Sequence, residues 1–173
     1  TFNRASDTNS QTAKNGRGYL KYEHFPSKKW YLETNASAEN ERFKDLDRRT
    51  YFGAGSGYQI YETPDLNLSI EGGLDYVNED YELKADKGYP SARWAIKYDQ
   101  LLFSGLTVFH QQEGLVSIES AQDMLVRTKT GLRFPLSKQL VGATQLNVDW
   151  DRSPAPGKTS TDKTLLFNMG YRW

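Results

Sequence analysis

Apolar and polar residues alternate with period two along almost the whole chain, and helical spacing is hard to find. The clearest stretch is 163–173, where one face carries Leu165, Phe167, Met169, Tyr171 and Trp173. Its other face carries Thr164, Leu166, Asn168, Gly170 and Arg172. The same alternation places Leu140, Gly142, Thr144, Leu146, Val148 and Trp150 against Val141, Ala143, Gln145, Asn147 and Asp149. It recurs over 124–134, 93–99, 66–76 and 30–39, and less cleanly over 16–25, 49–61 and 103–111. These are nine predicted strands of roughly nine to thirteen residues, the length a tilted strand needs to cross a bilayer.

The connectors alternate as well. By sequence, 26–29, 63–65, 99–102 and 135–139 read as short, while 41–48, 79–90, 112–123 and 152–161 read as long. Short connections on one rim and long ones on the other are the mark of an up-and-down barrel in an outer membrane. Pro26, Pro64 and Pro135 suit tight turns that need no ladder N–H. Aromatic residues fall into two belts: Phe25, Trp30, Tyr61, Tyr98, Phe103, Phe134, Tyr171 and Trp173 toward the short turns, and Tyr76, Tyr81, Trp94 and Trp150 toward the long loops. Of these, Trp30, Tyr98, Phe134, Trp150, Tyr171 and Trp173 are the expected lipid-interface residues. The expected fold is therefore all-β, an antiparallel up-and-down transmembrane β-barrel in a single domain spanning 1–173. About nine or ten strands are visible, and an intact barrel would have ten to twelve.

The strand count rests on the orientation. With the long loops outward, Trp173 ends on the periplasmic rim and residues 16–25 descend from a polar stretch, 5–15, that is read as a loop. Only residues 1–4 would remain to ascend into it, so either one or more further N-terminal strands are expected or closure at Thr1 is irregular.

Composition narrows the function. Lys and Arg together number 22, as do Asp and Glu, so no global field favours nucleic acid. A mean hydropathy of −0.75 alone would suggest a soluble or disordered chain. The 4 Trp, 11 Tyr and 8 Phe argue for packing, and a barrel with a polar lumen reconciles the two. No apolar run is long enough for a membrane-spanning helix, and without cysteine there is no disulfide or thiol chemistry.

Several segments together resemble a known bacterial family. They are Gly53-Ala54-Gly55-Ser56-Gly57-Tyr58, Glu71-Gly72-Gly73-Leu74-Asp75-Tyr76, Asp151-Arg152-Ser153-Pro154-Ala155-Pro156-Gly157 with Asp162, and the closing Gly170-Tyr171-Arg172-Trp173. From about residue 40 onward the chain resembles domain-of-unknown-function family 481, whose members are described as salt-induced outer-membrane proteins. The resemblance implies a Gram-negative outer membrane, further N-terminal sequence, and no established catalytic motif. The Tyr171-Arg172-Trp173 ending also resembles the aromatic signal read by the barrel-insertion machinery.

The inward positions carry the candidate chemistry: Glu33, Glu39, Glu71, Asp75, Arg93, Lys97, Asp99, Arg127, Lys129, Arg133 and Arg172. Acidic residues dominate the early strands and basic ones the later strands, so opposite walls can pair across a narrow lumen. A structural ion-pair network is the simpler reading, and a charged channel the functional one. Inward Gly53, Gly55 and Gly57 leave space for a long side chain from across the barrel or ease curvature. His110, with Ser104, Gln111, Gln112 and Glu113 nearby in sequence, has no spacing that supports a catalytic triad. Asp7-Thr8-Asn9-Ser10-Gln11 lacks the glycine and terminal Glu of a calcium loop. No cofactor or metal is expected.

The function expected is that of a non-enzymatic outer-membrane barrel, structural or related to envelope and osmotic stress, with lipid and lipopolysaccharide as partners. The alternatives are a narrow small-solute pore with a charged lumen, a soluble lipocalin-like carrier with its apolar face inward, and a lipid-modifying enzyme around His110.

Overall fold

A computed structural model describes residues 2–7, 10–41, 46–81, 85–154 and 159–171. They form ten strands: β1 (Phe2–Asp7), β2 (Ser10–His24), β3 (Trp30–Glu41), β4 (Leu46–Glu62), β5 (Leu66–Tyr81), β6 (Lys87–Leu101), β7 (Thr107–Ser117), β8 (Met124–Pro135), β9 (Leu140–Asp151) and β10 (Thr161–Tyr171). Each strand pairs antiparallel with its sequence neighbour, in one sheet ordered β1 to β10. Among the described residues no ladder joins β10 back to β1, so the meander is open at both edges. No helix among them is long and apolar enough to cross a membrane.

Three expectations are corrected. Residues 5–15, read as a loop, lie largely in a hairpin: β1 pairs with the start of β2 from Phe2↔Gly16 to Asp7↔Ser10, with a bulge at Ala5/Ser6. Three of the four long connectors are also shorter than expected. β3 continues to Glu41 and β4 begins at Leu46, β5 runs to Tyr81, and β7 runs to Ser117. Polar residues do not end a strand when the ladder can continue beside them, and the surplus became strands of up to 17 residues. At the other end, 103–106 is no strand: Phe103–Gly105 makes a single 3-10 turn, with Ser104 at φ 55° and Gly105 at φ 80°.

The short turns share a device. Ser27, Thr63 and Ser137 each accept, through the side-chain oxygen, the backbone N–H three residues on, at Trp30 (3.0 Å), Leu66 (2.9 Å) and Leu140 (3.1 Å). The hydroxyl satisfies an N–H at the start of the next strand, which lets the chain reverse quickly.

Register fixes which face each side chain meets. On one face Tyr31, Glu33, Asn35, Ser37 and Glu39 of β3 are buried, as are Glu71, Asp75, Val77 and Glu79 of β5. On the other, Leu20, Leu32, Phe52, Leu74 and Phe167 are exposed, the last by 77%. The buried face is the concave one, because its side chains reach strands far away in the sheet. Arg127 of β8 bonds Glu39 of β3, and Tyr51 of β4 bonds Glu113 of β7. A bulge between Gln59 and Tyr61 sets Tyr61 opposite Leu68. It turns Tyr61 outward, where strict alternation from Gly57 would point it in.

Glycines meet aromatic rings across the ladder. Tyr31 stands opposite Gly57, Trp94 opposite Gly114, Phe109 opposite Gly131 and Phe134 opposite Gly142. In each pair the ring covers the space where a Cβ would be. The inward glycines of β4 are thus filled by neighbouring strands: Tyr31 over Gly57, the Glu33 carboxylate by Gly55, and Asp75 by Gly53. Among the described residues, the atoms nearest to that space all come from the adjacent strands β3 and β5.

A Cβ at Gly57 would overlap the Tyr31 ring, so Gly57→Val is expected to destabilise the fold by about 1–3 kcal/mol. The open, outward Gly72 serves as the control, with Gly72→Val near neutral. Urea unfolding of both variants checks this, and equal midpoints would contradict the packing.

Candidate functional site

The concave face carries two buried charge clusters and a smaller pair at the short-turn rim. The first is centred on Glu33, which is 2% exposed. Alternation along β2 sends Lys21 and Glu23 inward beside it, opposite Asn35 and Glu33. The Lys21 Nζ lies 2.8 Å from Glu33 Oε2, 2.6 Å from Glu71 Oε1 and 2.8 Å from Glu23 Oε1. Arg93, from β6, ion-pairs with Glu33 and lies 3.5 Å from Glu71 Oε2 and 3.4 Å from Asp75 Oδ2. Lys97 closes the set at 2.9 Å from Glu71 and 3.5 Å from Glu23. Neutral groups complete it: the Tyr31 hydroxyl donates to Glu71 (2.7 Å) and the Asn35 amide to Asp75 (3.3 Å).

The second cluster lies toward the other end of the strands. Arg49 donates to Glu79 through Nε (2.6 Å) and to Glu39 through Nη1 (3.1 Å), and its Nη2 lies 3.6 Å from Asp151. Arg127 Nη2 reaches both Glu39 oxygens, at 2.6 and 2.7 Å. The Tyr89 hydroxyl donates to Glu79 at 3.1 Å. Beside it is a cavity of about 30 Å³ lined by Arg49, Glu79, Tyr89, Ser91 and Asp151 among others. At the short-turn rim, Arg133 pairs with Asp99 at 2.7 Å and sits 4.5 Å over the Phe109 ring.

Of the expected lumen residues, Glu33, Glu71, Asp75, Arg93 and Lys97 come together in the first cluster, Arg127 joins the second, and Asp99 pairs with Arg133. Lys129 is exposed and enters neither cluster. Arg172 and Trp173 lie outside the described residues. Trp30, Tyr98, Phe134, Trp150 and Tyr171 all project from the outward face, with Trp30 packed on Tyr58 (centroids 4.9 Å apart). Sequence reasoning missed Lys21, Glu23, Arg49, Glu79 and Asp151 as inward charges, although the parity of β2 and β5 could have found Lys21, Glu23 and Glu79.

Glu23, Glu33 and Glu71 bring three carboxylates within 4.8 Å of one another, a spacing that can suit a metal. The Lys21 ammonium is bonded to all three, so a protein cation already serves them. His110 faces outward with Nδ1 2.7 Å from Thr130 Oγ1, while Glu113 faces inward to Tyr51. These two side chains therefore lie on opposite faces of one strand.

Residues 1–173, the whole chain, match the family model described as "Protein of unknown function, DUF481". The chain belongs to the DUF481 family. The match extends the likeness read from residue 40 onward to the N-terminal strands of this DUF481 chain. No curated protein and no solved structure matches it significantly.

If Arg93 compensates buried carboxylates, Arg93→Met leaves Glu33 and Asp75 short of charge and is expected to cost about 3–5 kcal/mol. Adding Glu33→Gln should restore part of that. Urea midpoints of the two single variants and the double variant test the coupling, and strictly additive losses would contradict it.

Proposed function

We propose that this chain is a barrel protein of the Gram-negative outer membrane, with its convex face in lipid and its interior filled by its own ion pairs. The observation that carries the reading is an inverted polarity: the charged face is buried and the apolar face exposed. In water that arrangement leaves Leu20, Phe52, Leu74 and Phe167 unsatisfied, and a bilayer removes the penalty. Strands β2 to β10, of 11 to 17 residues, are long enough to cross at a tilt. Pairing of the two free edges, directly or through further strand, would complete the closure a bilayer demands. A lipocalin-like carrier needs apolar residues on the concave face, where this sheet carries Glu33, Glu71 and Arg93.

The role that follows is structural rather than catalytic: a stable envelope component that meets lipid and lipopolysaccharide, enters by way of the insertion machinery, and contributes to osmotic stress resistance. A narrow pore is the competing use of the same fold. The two clusters lie in series along the interior, and their pairs span it from β3 to β6 and from β3 to β8. Such a plug leaves a high barrier to ions.

Purified protein mixed with phosphatidylcholine vesicles is expected to float with them and to migrate differently on gels with and without boiling. Recovery wholly in the soluble fraction without detergent would overturn the membrane reading. In planar bilayers the wild-type chain should be nearly silent, whereas Glu39→Gln with Arg127→Met, which removes a cross-sheet pair, should raise conductance several-fold. Large, steady wild-type currents would favour the pore.

A further inference from the structure

The outward faces of β7 and β8 break the apolar pattern at mid-strand. β8 runs from Val126 through Thr128 and Thr130 to Leu132, and β7 from Val108 through His110 and Gln112 to Gly114. In register, His110 stands opposite Thr130 and Gln112 opposite Thr128, so the four polar side chains form one patch. Trp94, opposite Gly114, and Trp150, opposite Val126, bound it on one side, and Phe134 bounds it on the other. Along β8, Thr130 is midway between Val126, level with the tryptophans, and Phe134.

Three of the four side chains have a partner within the sheet. His110 Nδ1 bonds Thr130 Oγ1 at 2.7 Å, and Thr128 Oγ1 donates to the Val148 carbonyl at 3.5 Å. The Gln112 carboxamide has none among the described residues, and the second ring nitrogen of His110 is left over. In water neither would matter. In lipid, as the proposed function requires, both are costly at the depth where no solvent can reach them.

What meets them must itself bring neutral donors and acceptors in equal measure. A charged headgroup or an acidic or basic partner finds no opposite charge here. A primary carboxamide, by contrast, is its own complement: across a twofold axis each N–H donates to the other's carbonyl, closing a pair of bonds. Imidazole and hydroxyl groups, too, can act as either donor or acceptor. We propose that the outward faces of β7 and β8 form a twofold interface between two copies of this chain, with Gln112 beside the axis and the flanking tryptophans at its rim. This inference rests on the membrane reading above.

The chain has no cysteine, so Gln112→Cys places a single thiol at the axis. Leu74→Cys, exposed on the outward face of β5, is the control. Both are reconstituted into phosphatidylcholine vesicles and oxidised. Disulfide-linked dimer is expected at least about tenfold more for Gln112→Cys than for Leu74→Cys. In the cysteine-free chain, His110→Phe with Gln112→Leu should weaken self-association in vesicles about tenfold, the scale of a lost hydrogen-bond pair, while flotation stays unchanged. Equal cross-linking at both positions, or none at Gln112→Cys in protein that floats, overturns the interface and leaves the membrane reading standing. Failure to float removes the membrane reading, and this interface with it.

Discussion

A meander in which every strand bonds only its neighbours has no backbone contact to hold its shape beyond pairs. In this chain that work falls to charge. Arg127 draws β8 to β3, Arg93 draws β6 to β3, Lys21 draws β2 to β5, and Arg49 draws β4 to β9. None of these strands is adjacent to its partner in the sheet. A carboxylate taken out of water must find a cation, and for Glu33, Glu39, Glu71 and Asp151 one such cation arrives from a strand that is not its neighbour, so neutralising the interior and curving the sheet go together. On the same face Tyr51, Val77, Tyr89 and Leu115 pack together from β4 to β7, so apolar contact adds to the ion pairs.

The outer face obeys the opposite logic. With the charged clusters gathered inside, the convex surface is left mainly to aliphatic and aromatic side chains, apart from the patch of His110, Gln112, Thr128 and Thr130, and to glycines over which rings from the next strand lie. Trp94 over Gly114 and Phe134 over Gly142 smooth that surface, and Tyr31 over Gly57 and Phe109 over Gly131 do the same within. Aromatic residues and glycines are thus placed as pairs, each occupying the space the other leaves.

The sheet was legible in the sequence because period two is a strong signal wherever one face is apolar. It failed over 5–15 and over 103–106 for identifiable reasons. Residues 5–15 are polar on both faces, so no alternation marked β1 and the start of β2, yet the hairpin forms through its backbone bonds. Residues 103–106, read as the start of a strand, make a 3-10 turn instead, with Ser104 and Gly105 at positive φ. Inward charges such as Glu33 and Arg93 could be read off by parity. Their assortment into two clusters could not, since it depends on which strands the curvature brings face to face. The hydroxyls of Ser27, Thr63 and Ser137 were in plain view beside the prolines, and only their shared three-residue reach identifies them as turn-makers.

The distribution of charge along the chain has a consequence for how it is made. Among the described side chains, the inner face of β2 to β5 holds Glu23, Glu33, Glu39, Glu71, Asp75 and Glu79 against Lys21 and Arg49. The missing cations, Arg93, Lys97 and Arg127, are supplied by β6 and β8. A chain synthesised from its N-terminus therefore carries an acidic half that cannot desolvate its inner face alone. Its strands must wait, solvated, for the basic half to appear, so completion of the chain and collapse of the interior become a single late event rather than a stepwise accumulation of hairpins.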